Sequence, residues 1–262
     1  MHMDKTPHDV STPSSPTGFR STRDPFDGLR IAITGGTAGL GLALVRHLLD
    51  RGAHVAFVAR HREHVARVAA THARAHGIVG DVSDKQAIYP VAMQIVGALG
   101  GLDVLVNNAS ALGPVPLALL ADTECEDFER ALATNVLGPF RLTKALLGSL
   151  AAAAREGSGG VIVNVSSDAG VVAYPRWGAY GASKAALRHL SQIWSEELRA
   201  DGLIVLTIDP GDMDTALHAA AAPDADRSEL KRPETAAREL ADAIAAALGS
   251  AMARVHLQEA RQ

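Results

Sequence analysis

Tyr180 and Lys184 stand four residues apart in the stretch RWGAYGASKAALRHLSQIWSEELR, positions 176–199. Residues i and i+4 of a helix share a face, so the Lys184 ammonium can approach the Tyr180 phenol. A free phenol loses its proton near pH 10, and a nearby cation favours the phenolate. A phenol tuned in this way can give or take a proton during catalysis. Polar pairs at this spacing are common on exposed helices, so the pair gains meaning only from the elements around it.

A second stretch with chemical content is TGGTAGLG, Thr34 to Gly41, which follows an apolar run directly. Gly35, Gly39 and Gly41 fall where a strand must turn tightly into a helix. Glycines at such a turn let a pyrophosphate approach the backbone and rest on the helix N-terminus. The residue ending the next strand then meets the adenosine ribose: an acid favours a free 2′-hydroxyl, a cation accommodates a 2′-phosphate. That strand ends FVARHRE, with Arg60 at its tip and no acid before Glu63. A guanidinium there favours NADP(H), with NAD(H) as a second possibility. Asp81, at the end of the third apolar run, suits a contact to the adenine ring.

These residues need a scaffold. Short apolar runs at 29–34, 54–59, 76–80, 103–108, 160–167, 203–209 and, weakly, ARVHLQ at 253–258 alternate with helix-length segments. Most runs are apolar on both faces, as strands of a covered parallel sheet are. The alternation predicts an α/β fold: a doubly wound (Rossmann) parallel sheet of about seven strands with helices on both faces. The first 27 residues, rich in Pro, Ser and Thr, read as a disordered leader, and 28–262 as one catalytic domain. The chain of 262 residues carries a formal net charge of -4 and no basic stripe, which argues against nucleic acid. No apolar run approaches the roughly 20 residues that span a bilayer. A single cysteine, Cys125, leaves no internal disulfide and suits the cytoplasm. The eleven histidines form no HExxH pattern and keep no company of cysteines, so no metal site is expected.

With these motifs together, the sequence resembles the short-chain dehydrogenases/reductases, in the single-domain branch whose glycine motif is written TGxxxGxG. TGGTAGLG matches the cofactor loop, NNAS (107–110) resembles the family's NNAG with Ser110 in place of glycine, and YGASK matches YxxxK. The resemblance implies hydride transfer between a nicotinamide and a small-molecule carbonyl or alcohol. It implies Asn135, Ser167, Tyr180 and Lys184 as the catalytic set. Ser167 would hydrogen-bond the substrate oxygen and Tyr180 would be the general acid/base. Lys184 would lower the phenol pKa and hold the nicotinamide ribose, and Asn135 would anchor a water leading to solvent. The cofactor would touch Gly35, Thr37, Gly39, Leu40, Gly41, Arg60, Asp81, Val82, Asn108, Ala109, Tyr180, Lys184, Pro210, Gly211 and Thr215. Family members assemble, which implies a homodimer or homotetramer. The competing reading is a catalytically silent dinucleotide sensor of the same fold, which would have no use for a tuned proton donor.

Overall fold

The computed structural model describes residues 24–259; of 251–259 only the helical backbone is described. The elements run in the order β1 (Arg30–Thr34), α1 (Gly39–Asp50), β2 (His54–Ala59), α2 (Arg62–Ala69), β3 (Ala75–Val79), α3 (Ile88–Leu99) and β4 (Val104–Asn107). They continue with α4 (Cys125–Leu132), α5 (Gly138–Arg155), β5 (Val161–Val165), α6 (Gly178–Glu197), β6 (Ile204–Ile208), α7 (Ala216–Ala221) and α8 (Pro233–Glu259).

All strand pairs are parallel, in the order β3-β2-β1-β4-β5-β6. Parallel neighbours require crossovers, and the helices supply them on both faces. Strand residues alternate between two cores. Ile31 and Ile33 of β1 face one side with α1, α8 and the α2 residues Val65 and Val68. Ala32, with Ala56 and Val58 of β2, faces the other with α3 and α5. This double burial explains why the strands read as unbroken apolar runs.

The sheet has six strands among the described residues, not the expected seven. ARVHLQ at 253–258 continues α8 as helix. The run's polar–apolar alternation is only six residues long, whereas the helix entering it has run uninterrupted from Pro233. A register already propagating adds a hydrogen bond per residue, which outweighs so short a β pattern.

The predicted leader also ends too late at residue 27. Phe26 is 0% exposed and belongs to the core between α1 and α8. The Arg51 guanidinium lies 4.5 Å over its ring, and Asp24 pairs with Arg51 at 2.9 Å. One aromatic side chain thus fastens 24–28 to the domain, despite the composition around it. The remaining leader residues, 1–23, lie outside the described residues. Phe26→Ala is expected to lower the unfolding free energy by about 3 kcal/mol, as deletions of buried aromatic rings do. Asp24→Asn, which removes only a solvent-exposed ion pair, is expected to cost under about 1 kcal/mol. Urea denaturation of both variants checks the contrast.

Candidate active site

The chain winds outward from β1 to β3 and then returns to place β4 beside β1. At such a reversal the connections leave in opposite directions and open a crevice at the carboxyl ends of the strands. Here the crevice is braced by side chains. Thr34 Oγ1 accepts hydrogen bonds from the backbone N–H groups of Asn108 and Ala109, both at 3.0 Å. Asn108 Nδ2 donates to the Thr34 carbonyl at 2.8 Å. The glycine turn follows immediately. Gly39 has φ +49°, and a Cβ on Gly41 would overlap the Gly35 carbonyl oxygen and come within 2.5 Å of Asn108 Nδ2. Any side chain at Gly41 would push α1 off its seat.

The α1 N-terminus carries no side-chain cap and no acidic residue in its first turn. Its residues Gly39, Leu40 and Gly41 line a cavity of about 1010 Å³. Free N–H groups and the positive end of the helix dipole are a ready anion seat. The same cavity is lined by Gly35, Thr37, Asp81, Val82, Asn108, Ala109, Pro210, Gly211 and Thr215. Arg60, exposed at the tip of β2, rims it beside His61 and His64. Every residue expected at the cofactor therefore lines one cavity. Pro210 and Thr215 are held by local bonds: Lys231 Nζ reaches the Pro210 carbonyl at 3.1 Å, and Thr215 Oγ1 caps α7 at 3.2 Å. The uncapped helix end and Arg60 suit the charge of a phosphate-bearing dinucleotide.

Tyr180 and Lys184 form the inner end of the cavity, on α6. Lys184 is 2% exposed, and its Nζ donates to the Val165 carbonyl at 2.8 Å. Burial drives its pKa down from 10.5 to about 8, opposed by the charge of Asp209. The ammonium lies 5.4 Å from the centre of the Tyr180 ring, over its face. The expected lowering of the phenol pKa is not what the protein's own groups produce. Burial raises Tyr180 above 10, against lowering hydrogen bonds with Ser167 and Ser110. The i,i+4 spacing brings the cation to the ring face rather than to the hydroxyl, and desolvation wins.

Asn135 sits in a π-helical turn, Ala133–Leu137, between α4 and α5, and is fully buried. Its Nδ2 donates to the Ala111 carbonyl and to Ser183 Oγ, each at 2.8 Å. Its Oδ1 accepts from Ala111 N–H at 2.8 Å and Ser110 Oγ at 3.2 Å. Both amide hydrogens and both lone pairs are spent. The side chain is thus a tie between the loop after β4 and α6, and a water-anchoring role would fall to the backbone carbonyl. A π-turn inserts one residue into a helix, and here it aims Asn135 inward.

Sequence reasoning missed Ser110 as a site residue. Its hydroxyl donates to Asn135 Oδ1 and lies beside the Tyr180 phenol, whose pKa it lowers. The only signal was its substitution for a glycine in NNAS. Ser167 lies beside the Tyr180 phenol and lowers its pKa. Ser166, its neighbour, has a buried Oγ without a protein partner among the described residues and lines the same cavity. Trp177 meets Tyr180 edge-on at 5.7 Å, and Arg176, in the left-handed region at φ 73°, turns the chain into it.

A profile of the family described as short chain dehydrogenase matches residues 30–226. The chain belongs to the short-chain dehydrogenase family. It is an NAD(P)-dependent oxidoreductase of that family. An oxidoreductase of Thermotoga maritima is 35% identical over 190 residues, which cover 71% of this chain and 72% of the relative. The chain spans about half, 56%, of the length of an oxidoreductase of Mycobacterium bovis, to which it is 35% identical over 72% of its own length. A short-chain dehydrogenase of Shigella flexneri, solved with NADP, superposes with a TM-score of 0.74 at 28% identity, covering 81% of this chain and 89% of that one. An NADPH-bound carbonyl reductase from chicken fatty liver gives a TM-score of 0.74 at 25% identity, covering 83% and 91%. Among the described residues no helix is long and apolar enough to cross a membrane.

The buried ammonium makes a pH-dependent prediction for this short-chain dehydrogenase. Below pH 8 Lys184 is charged in both the folded and the unfolded chain, so the full burial cost is present. Between about 8 and 10.5 the folded chain binds fewer protons than the unfolded one, and stability rises with pH. Lys184→Met is therefore expected to stabilise the cofactor-free protein at pH 7 by about 1–3 kcal/mol while abolishing activity. The gain should shrink toward pH 10, as followed by urea unfolding at several pH values.

Proposed function

We propose that this enzyme is an NADP(H)-dependent carbonyl reductase and alcohol dehydrogenase with Tyr180 as its general acid/base. The observation that carries the reading is that one cavity joins the uncapped α1 N-terminus to the hydroxyls of Tyr180, Ser167 and Ser110. A bound nicotinamide dinucleotide supplies or accepts the hydride. The phosphates would rest on Gly39, Leu40 and Gly41, and Arg60 would meet a 2′-phosphate. In reduction the carbonyl carbon gains the hydride and the carbonyl oxygen gains the Tyr180 proton, leaving a phenolate that solvent reprotonates. A buried phenol with a raised pKa keeps that proton at neutral pH until a developing alkoxide needs it. Ser167 and Ser110 would steady the reacting oxygen, and charged Lys184 would stabilise the phenolate left behind. A homodimeric or homotetrameric assembly and a cytoplasmic, reducing setting belong to the same reading, in which the exposed Cys125 stays a free thiol.

Tyr180→Phe keeps the ring packing and removes the proton donor. Turnover is expected to fall about 10²–10⁴-fold with cofactor affinity retained, measured by NADPH absorbance across a panel of ketones and by NADPH binding. Wild-type turnover in that variant would overturn the assigned role.

Arg60 gives a separate test. Hydrogen bonds to charged groups contribute about 1.5–3 kcal/mol, and Arg60 is exposed, so the lower end applies. A preference for NADPH over NADH of about tenfold in kcat/KM is expected, lost or reversed in Arg60→Asp. Equal use of both cofactors by the wild type would remove Arg60 as the selector.

A further inference from the structure

The cavity wall holds a carboxylate with no part in the reaction above. Asp168 follows Ser167 directly, opens the short 3₁₀ turn Asp168–Gly170, and lines the cavity. Its Oδ1 accepts the Ser167 hydroxyl at 3.0 Å and its Oδ2 accepts the Tyr174 hydroxyl at 2.7 Å. Tyr174 also reaches the reacting centre through rings, lying 6.5 Å from Trp177, which in turn lies 5.7 Å from Tyr180. Two hydroxyls thus hold the Asp168 carboxylate, and the rings of Tyr174, Trp177 and Tyr180 lie in sequence beside it.

A serine hydroxyl owns one proton. Asp168 receives it here, and the Tyr180 phenol oxygen competes for it. To polarise a carbonyl, that proton must swing to the substrate. A hydroxyl–carboxylate bond is charge-assisted and stronger than a neutral one, so the swing is opposed unless Asp168 receives another donor in exchange. A hydroxyl or ammonium group on the carbon next to the reacting carbon lies about one hydrogen-bond length from the reacting oxygen. Ser167 Oγ keeps the same kind of separation from Asp168 Oδ1. A substrate carrying such a group can bond Asp168 and release the Ser167 proton to its own carbonyl.

We infer that Asp168 makes this site selective for substrates with a hydrogen-bond donor on the carbon adjacent to the reacting one: α-hydroxy and α-amino ketones, and the corresponding vicinal diols and amino alcohols. The inference rests on the oxidoreductase reading of the same site. A plain ketone leaves either Asp168 or its own oxygen one donor short. Sites that bond a substrate hydroxyl discriminate strongly against the analogue lacking it, and because water reaches Asp168 the expected margin is about 10- to 100-fold.

The probes are 2-hexanone against 1-hydroxy-2-hexanone with NADPH, and 2-hexanol against 1,2-hexanediol and 1-amino-2-hexanol with NADP⁺. Two quantities are read in wild type, Asp168→Ala and Asp168→Asn: kcat/KM, and the Kd of each probe for the enzyme–NADPH complex, followed by cofactor fluorescence. The donor-bearing member of each pair is expected to be favoured about 10- to 100-fold by the wild type, with the ratio falling toward one in Asp168→Ala. In Asp168→Asn the amino alcohol should lose more than the diol, because the amide oxygen still accepts but the charge is gone. A merely structural role would depress all probes together and leave the ratios intact. Equal handling of each pair by the wild type, or a ratio that survives Asp168→Ala, overturns the inference. If NADPH binds and no probe turns over, the oxidoreductase reading fails, and the Kd ratios still decide the role of Asp168.

Discussion

The ammonium of Lys184 is buried among packed helices with a single backbone carbonyl to receive it. An unpaired buried cation is costly, and a fold tolerates it only where the surrounding structure leaves it no alternative. Here the constraint is imposed from two sides. β5 ends at Val165, the residue whose carbonyl holds Nζ, and α6 packs its buried face against the turn that follows. Ser167 and Tyr180 are thereby fixed in the same act that fixes Lys184.

Asn135 does for the other side of the site what Val165 does for Lys184. Four hydrogen bonds from one amide join the loop after β4 to α6, and the π-turn supplies the change of phase that points it inward. The hydroxyl of Ser110 belongs to this tie and lies beside the phenol. The Ser110 hydroxyl is therefore positioned by a buried amide, whereas that of Ser167 is held by the exposed Asp168.

Much of this was legible in the sequence because it depends on local periodicity. Runs apolar on both faces announced a covered parallel sheet, and glycines between a strand and a helix announced the turn. What the sequence hid depends on distance through space. Phe26 is embedded in a segment whose composition reads as disordered, and only the groove between α1 and α8 shows that it has a place to go. ARVHLQ looked like a strand because six residues fit two periods. The direction of the Tyr180 shift was misread because spacing reports which face Lys184 shares, and burial decides which protonation state is favoured. Asp168 and Tyr174 meet across a loop that has no repeat of its own, so no spacing rule could pair them.

The brace between Thr34 and Asn108 has a consequence for how such a protein can diverge. The turn it locks admits no additional carbon at Gly41, and drift there carries a direct cost in fold. Arg60, Asp168 and Tyr174, by contrast, stand exposed on segments that leave the sheet, and none of them holds up the core. Inheritance can therefore act on two parts at different tempos: a frame held nearly constant by steric necessity, and a few solvent-facing tips free to be exchanged. A lineage built on this chain could exchange those cavity-rim side chains within a handful of substitutions and never risk the sheet that carries them.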